Sequence, residues 1–400
     1  MVRAYKAMTR YYRWRSVAKG IFVLLLLGTS PDFVRSALAQ SAATQPNTTS
    51  SITTRPNNRI TPDVSEETGL GTTVETNQAG DAVVIEGGET RGTNLFHSFE
   101  EFSVSPNQTA TFNPSSSIDN ILSRVVGARS SNIAGTLTVN GEASLWLVNP
   151  NGIVFGENAS LDITGSFYAT TAPAISIGEG MFGAIASAES SLLSISPEVS
   201  FQTFLNDLTG ESGNIRVQSA LNVGGDLGLA ANQITAPELT LNVGNNLLLV
   251  TNANRSINSQ GTDIQLTART IDISQLAAGN TNNRYASAGN VRLDAFNNIT
   301  TRGINTSSTA RGGNASAGGN ISIQSSAGNI VNEGIISTRS DASSPTDVIN
   351  ETSNEAANEA ANGPVSGNAG DGGDITVKII GDGNIFNRDA LSAQSRSTEG

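Results

Sequence analysis

From about residue 60 onward the apolar positions come in short beats that alternate with polar ones and are punctuated by Gly, Asn, Ser and Thr. Alternation at period two predicts half-buried strands, and a turn signal in nearly every gap predicts that they are short. Up to about residue 204 the pattern places strands at 72–75, 82–86, 95–99, 110–112, 121–126, 135–139, 145–148, 153–155, 160–163 and 166–169. Two of them are joined by Asn149-Pro150-Asn151-Gly152. Asn in first place, Pro in second with φ preset, and Gly in fourth suit a type I turn. The flanks, Leu145-Trp146-Leu147-Val148 and Ile153-Val154-Phe155, are too short for helices and too apolar for solvated loops, so both read as buried strands.

Past residue 210 the texture becomes repetitive. Gly213-Asn214-Ile215-Arg216-Val217, Gly289-Asn290-Val291-Arg292-Leu293, Gly319-Asn320-Ile321-Ser322-Ile323 and Gly373-Asp374-Ile375-Thr376-Val377 read as one unit: Gly, then Asn or Asp, then apolar-polar-apolar. Further apolar beats inside each unit give it about three strands. The step is 30 residues from Asn290 to Asn320 and 54 from Asn320 to Asp374, and the excess falls in an Ala/Asn/Glu/Ser/Pro-rich stretch at about 341–368 that reads as a looped-out insertion. Repeats of this length, built of short strands and Gly/Asn turns, are the mark of a parallel β-solenoid, here of about a dozen coils. Stacked turn asparagines are expected to form side-chain amide ladders. Leucine-rich repeats are excluded by spacing, while a β-sandwich stays open.

Composition agrees with this and adds a location. Charged residues are only 14% of the chain and Gly numbers 41, a balance that favours turn-dense β structure with very little helix. Residues 1–39 read as a signal peptide: a basic start (Arg3, Lys6, Arg10, Arg13, Arg15, Lys19), an apolar run at 21–27 too short to span a bilayer, and a small-x-small cleavage site at Ala37-Leu38-Ala39. Residues 40–59 read as a Thr/Pro/Asn/Ser linker. Cleavage removes seven basic residues and one acidic, taking the formal charge from −12 to −18 and leaving Lys378 as the only lysine, which argues against nucleic acid and anionic lipid as partners. With no cysteine there is no disulfide framework, so stability must come from repetitive packing and backbone pairing.

Five blocks of sequence then carry a family resemblance. Asn94-Leu95-Phe96-His97-Ser98-Phe99-Glu100-Glu101-Phe102-Ser103-Val104, Asn120-Ile121-Leu122-Ser123-Arg124-Val125, Ser131-Asn132-Ile133-Ala134-Gly135-Thr136-Leu137, Asn149-Pro150-Asn151-Gly152-Ile153-Val154-Phe155-Gly156 and Gly165-Ser166-Phe167 resemble, in order, the secretion domain of filamentous-haemagglutinin-type exoproteins, in wording closest to cyanobacterial members. The resemblance implies an all-β fold, a right-handed parallel β-helix whose N-terminal secretion domain is capped (60–205), followed by β-helix repeats (206–400). It implies two-partner secretion: passage by the general secretory translocon, recognition in the periplasm by an outer-membrane β-barrel transporter with POTRA domains, and an end as a secreted or surface adhesin with a host or cell-surface glycan or protein ligand. The secretion motif carried over is Asn149, Pro150, Asn151, Gly152 and Ile153. The companion Asn-Pro-Asn-Leu motif is absent, Asn113-Pro114-Ser115 being the nearest remnant.

Enzyme chemistry is thinly represented. His97, the only histidine, sits between Phe96 and Phe99 and reads as packed rather than catalytic; without cysteine, ordinary zinc sites and thiol nucleophiles are excluded, and no cofactor is implied. A polysaccharide-active β-helix would need an acidic face, for which Asp263, Asp272 and Asp294 are the candidates. Gly370-Asp371-Gly372-Gly373-Asp374 is one copy of a calcium-type pattern that needs tandem copies, and so reads as a turn. The expectation is therefore a non-enzymatic exoprotein. The alternatives are the N-terminal part of a contact-dependent toxin or effector carrier, and the glycan-active solenoid. The end of the chain within a repeat, with no polar capping element, reads as the end of a fragment or of a short family member.

Overall fold

The structure is a computed structural model that describes residues 59–177, 180–184, 212–237, 239–252, 255–279, 288–311, 315–343 and 372–397. The predicted leader, with Ala37 and Ala39, and all of the linker but Arg59 lie outside the described residues, as does 344–371. Among the described residues every regular element is a strand.

The chain winds as a parallel β-helix with three faces. Ten strands stack on the first: Asn94–Glu101, Asn120–Val125, Ser144–Val148, Phe167–Thr170, Leu227–Ala231, Asn246–Thr251, Thr270–Ile273, Ile299–Thr301, Ile330–Asn332 and Ile385–Asn387. Their register puts Leu95, Ile121, Leu145, Phe167, Leu227, Leu247, Ile271, Ile299, Ile330 and Ile385 in one column. All but Ile385 are buried in a single continuous core. A second face runs from Ala82–Gly87 through Ser160–Asp162 and resumes as a six-stranded sheet from Leu221–Val223 to Ile375–Ile379. The third runs from Ser131–Ile133 and Ile153–Phe155 to Leu391–Ser392. Each coil thus supplies one inward apolar set per face, and each fully buried Leu or Ile contributes about 2 kcal/mol of transfer free energy. The early end is closed by antiparallel pieces: Thr61–Pro62 pairs with Asn94–Glu101, and Thr72–Thr76 pairs with Ala82–Gly87.

The repeat signal is explained at the corners. A Cβ on Gly319 would overlap the Gly289 carbonyl oxygen, and one on Gly373 the Gly319 carbonyl oxygen, so successive coils approach here at a distance only glycine permits. The residue after each glycine binds the coil before it: Asn290 N–H donates to Asp263 Oδ1 (2.7 Å), Asn320 N–H to Asn290 Oδ1 (2.8 Å) and Asp374 N–H to Asn320 Oδ1 (2.8 Å). A second such column links Asn298, Asn329 and Asn384. In these two columns the rungs are mostly side-chain oxygen to backbone N–H, while the amide-to-amide ladder expected from sequence runs elsewhere, through Asn214, Asn232 and Asn252 and from Asn222 to Asn242. An aspartate, which keeps the acceptor and lacks the donor, therefore fits the column as well as asparagine does.

Two sequence expectations need correction. The Gly213 unit is not equivalent to the other three: Ile215–Val217 stacks between Ile153–Phe155 and Ile234–Thr235 on the third face, whereas Val291–Ala295, Ile321–Ser325 and Ile375–Ile379 share the second. Gly-Asn before an alternating strand marks any tight corner, not one particular face. The looped-out stretch, read from sequence as starting at about 341, starts later: Ser340–Ser343 is a strand pairing with Ser308–Arg311 on one side and Ser395–Ser397 on the other.

Candidate functional site

The Asn149 turn is the corner at which the chain leaves the first face for the third. Gly152 N–H donates to Asn149 O (3.1 Å), closing the turn, and Asn151 N–H donates to Asn149 Oδ1 (3.0 Å) inside it. Asn149 is fully buried, and its Nδ2 donates to Arg129 O and Ser131 Oγ of the preceding coil, both at 3.0 Å. Asn151 Nδ2 reaches Gly127 O of that same coil at 2.8 Å. From the following coil, Gly213 N–H donates to Pro150 O (2.7 Å), while Ile153 N–H donates to Asn214 O (3.0 Å). Gly152 has φ +113°, and a Cβ there would meet Asn214 O at 3.1 Å. The motif is thus bonded both within its own turn and to the coils before and after it. Ile153 is a fully buried core residue, Pro150 is half-buried, and Asn151 alone is exposed.

Asn151 faces a groove of about 770 Å³ at the start of the third face. Arg59, Arg129, Ser103, Ser130 and Asn132 line it with donors, and among the described residues no carboxylate lines it. Arg129 is held from one side by Glu101 at 2.9 Å. The nearest remnant of the companion motif lies elsewhere: Asn113 is a rung on the exposed side of the second face, donating from Nδ2 to Glu86 Oε1 and accepting from Asn140 Nδ2.

Sequence reasoning missed a second polar centre. Arg124 is buried, and its guanidinium donates to Ser98 Oγ (3.1 Å), Gly183 O (2.6 Å) and Thr68 O (2.7 Å) while lying 4.9 Å from the Phe182 ring centroid. Asp63 accepts from Ser98 Oγ at 2.9 Å. One side chain therefore ties the early cap, the first face and the hairpin of Ala174–Ile177 with Gly180–Gly183. The hairpin covers a separate apolar cluster of Phe96, Leu122, Trp146, Val148, Tyr168 and Phe182 on the outside of the first face. Burial lowers the Arg124 pKa, opposed by the nearby Asp63 charge. Asp63 itself is held below the usual carboxylate range: burial pushes it up, but hydrogen bonds from Thr68, Ser65 and Ser98 outweigh that.

The remaining candidates are dispersed. His97 is buried beside Phe112, with Nδ1 3.2 Å from Thr72 Oγ1, and burial lowers its pKa to about 4. Asp272 pairs with Arg302 on the first face, Asp294 pairs with Arg292 on the second, and Asp263 is a rung of the corner column, so the three acids do not converge. Asp371 lies outside the described residues, and Asp374 is another rung of that column.

Comparison with known proteins bears on residues 59–236, which match the family model described as the TPS secretion domain. No curated protein matches the sequence. Among solved structures, the chain is similar to the HMW1 secretion domain from Haemophilus influenzae (16% identity, 82% of this chain and 97% of that one, TM-score 0.34). It is also similar to the filamentous hemagglutinin secretion domain (12% identity, 84% and 99%, TM-score 0.38). The match to the TPS secretion domain thus takes in the cap, the Asn149 corner and the Arg124 centre, and residues 59–236 are the part of the chain that is similar to this family.

Proposed function

We infer that the chain is the exported partner of a two-partner secretion system. In this reading residues 1–39 are removed at Ala37-Leu38-Ala39 after passage through the general translocon, and residues 40–59 link the leader to the secretion domain. The secretion domain, from residue 60, is recognised in the periplasm by an outer-membrane β-barrel with POTRA domains. The coils from 206 onward form the shaft, although the family match reaches 236 and so takes in the first of them. Outside the cell the shaft acts as a non-enzymatic adhesin or binding protein for a glycan or protein ligand.

The observation that carries the reading is the family match over 59–236, which includes the Asn149 to Ile153 corner. Physical support comes from the coil. Each turn pairs with the turn before it, so residues emerging from a pore can add one coil at a time, and the free energy released biases the chain outward without ATP. Absence of cysteine suits a chain that must be threaded unfolded. The corner's role follows from its bonding: Asn149, Gly152 and Ile153 hold the coils in shape, and Asn151 is the part of the motif that a partner can reach. The test is export with and without the transporter gene. Transporter-dependent appearance of the mature chain outside the cell is expected, and equal export without any such transporter would refute the reading.

A further inference from the structure

The groove beside Asn151 stands out by charge. The chain carries 35 acidic and 23 basic residues, yet among the described residues the ionisable side chains lining this groove are Arg59 and Arg129. The rest of its polar lining consists of hydroxyls and amides: Ser103, Ser105, Ser130, Asn132 and Asn151. Glu101, which pairs with Arg129, is outside the lining.

Its backbone is spoken for. Ser103 N–H donates to Arg59 O, Val104 N–H to Asn132 O and Ser105 N–H to Gln108 Oε1, while Asn132 N–H donates to Ser103 Oγ. Along this edge the N–H groups are therefore closed to strand addition, and an occupant there is held through side chains. Those side chains offer forked guanidinium donors, which match carboxylates. The groove also adjoins the one residue of the secretion motif that is exposed, and it belongs to the earliest coils, behind the cap.

We propose that this groove is the docking surface for an acidic segment of the transporter's periplasmic part, with Arg59 and Arg129 as the charge-reading residues and Asn151 at its edge. The proposal rests on the two-partner reading above and narrows it to one face of the solenoid. It makes recognition a property of the folded early coils, and it makes the encounter depend on ionic strength, because rim charges act mainly through steering and screened attraction.

The test uses the purified mature full-length chain and the soluble periplasmic part of its own transporter, with binding measured at low and high salt. The Arg59→Glu/Arg129→Glu protein is expected to bind about tenfold more weakly than wild type at low salt and to lose most of the salt dependence. Arg59→Lys/Arg129→Lys is expected to stay within about threefold, since charge is kept and only the fork is lost. Both positions are exposed, so an unchanged circular dichroism spectrum and melting curve accompany the effect. Wild-type affinity in the charge-reversed, folded protein overturns the groove while leaving transporter-dependent export standing. Export that proceeds without the transporter overturns the two-partner reading, and the groove with it. Capture of an acidic oligosaccharide by Arg59 and Arg129, with no binding to the transporter, also overturns the proposal.

Discussion

Replacing Asn149 by Ala removes a side chain that ties its own turn to the preceding coil. Lost are the bonds from Nδ2 to Arg129 O and Ser131 Oγ, and those that Oδ1 accepts from Asn151 N–H and Nδ2. A net contribution of about 1 kcal/mol for each of these four bonds, with Asn151 N–H and Arg129 O left to find new partners, gives a loss of about 4 kcal/mol. Asn151→Ala should cost only about 1 kcal/mol, because Asn151 is exposed and water replaces its donors. Asn149→Asp should resemble Asn149→Ala, since the acceptor stays but a carboxylate then faces the Arg129 carbonyl. The readout is local. The chain holds two tryptophans, and once the leader is removed the emission of Trp146, three residues before the turn and buried, is the only one left. Urea unfolding followed by that emission should rank wild type above Asn151→Ala and both above Asn149→Ala. Equal midpoints for Asn149→Ala and wild type would refute the claim that the motif asparagine is a structural clamp.

Arg124→Met should cost about 3 kcal/mol or more, because it strands the Thr68 and Gly183 carbonyls and frees the hairpin; increased solvent quenching of Trp146 and faster hydrogen exchange at residues 180–184 are the checks. The histidine gives a pH signature. With its pKa about 6.5 when unfolded and lowered to about 4 in the fold, His97 leaves stability intact above pH 6.5 and removes it progressively as pH falls toward 4, by about 3 kcal/mol in all. His97→Gln should flatten that part of the denaturation profile, and an unchanged slope contradicts the assignment. Gly319→Ala should push two coils apart at the Gly289 carbonyl and speed hydrogen exchange in Ile321–Ser325, with little effect in Asn120–Val125, which lies near the other end of the coil order.

Much of this fold is legible in the sequence, for a local reason: in a solenoid, strand, corner and repeat are all written within one coil. The alternation in Val291 to Ala295 and the glycine before Asn290 each describe what their own coil needs. Face assignment is not local, and the Gly213 unit shows why: its letters match the others, but the coil beneath it, ending at Gly152, decides which face it joins. Arg124 was hidden for the opposite reason. On a strand with one solvated face an arginine beside Ser123 reads as exposed, and only the hairpin, some fifty residues later, buries it. A trace was present in Leu145-Trp146-Leu147-Val148, an unbroken apolar run that alternation cannot explain and that a strand covered on both faces requires. The Asn149 turn itself is readable as a turn. That its asparagine points inward, gripping the preceding coil, depends on the stacking of distant segments.

The central claim is that the export address lies in residues 59–236. Its most direct test deletes that stretch from the chain, keeps the leader and the later coils, and measures by protease accessibility and fractionation how much product leaves the cell in the presence of the transporter. The account predicts that the deleted chain stays in the periplasm while the intact chain is exported; equal export of the two would contradict it.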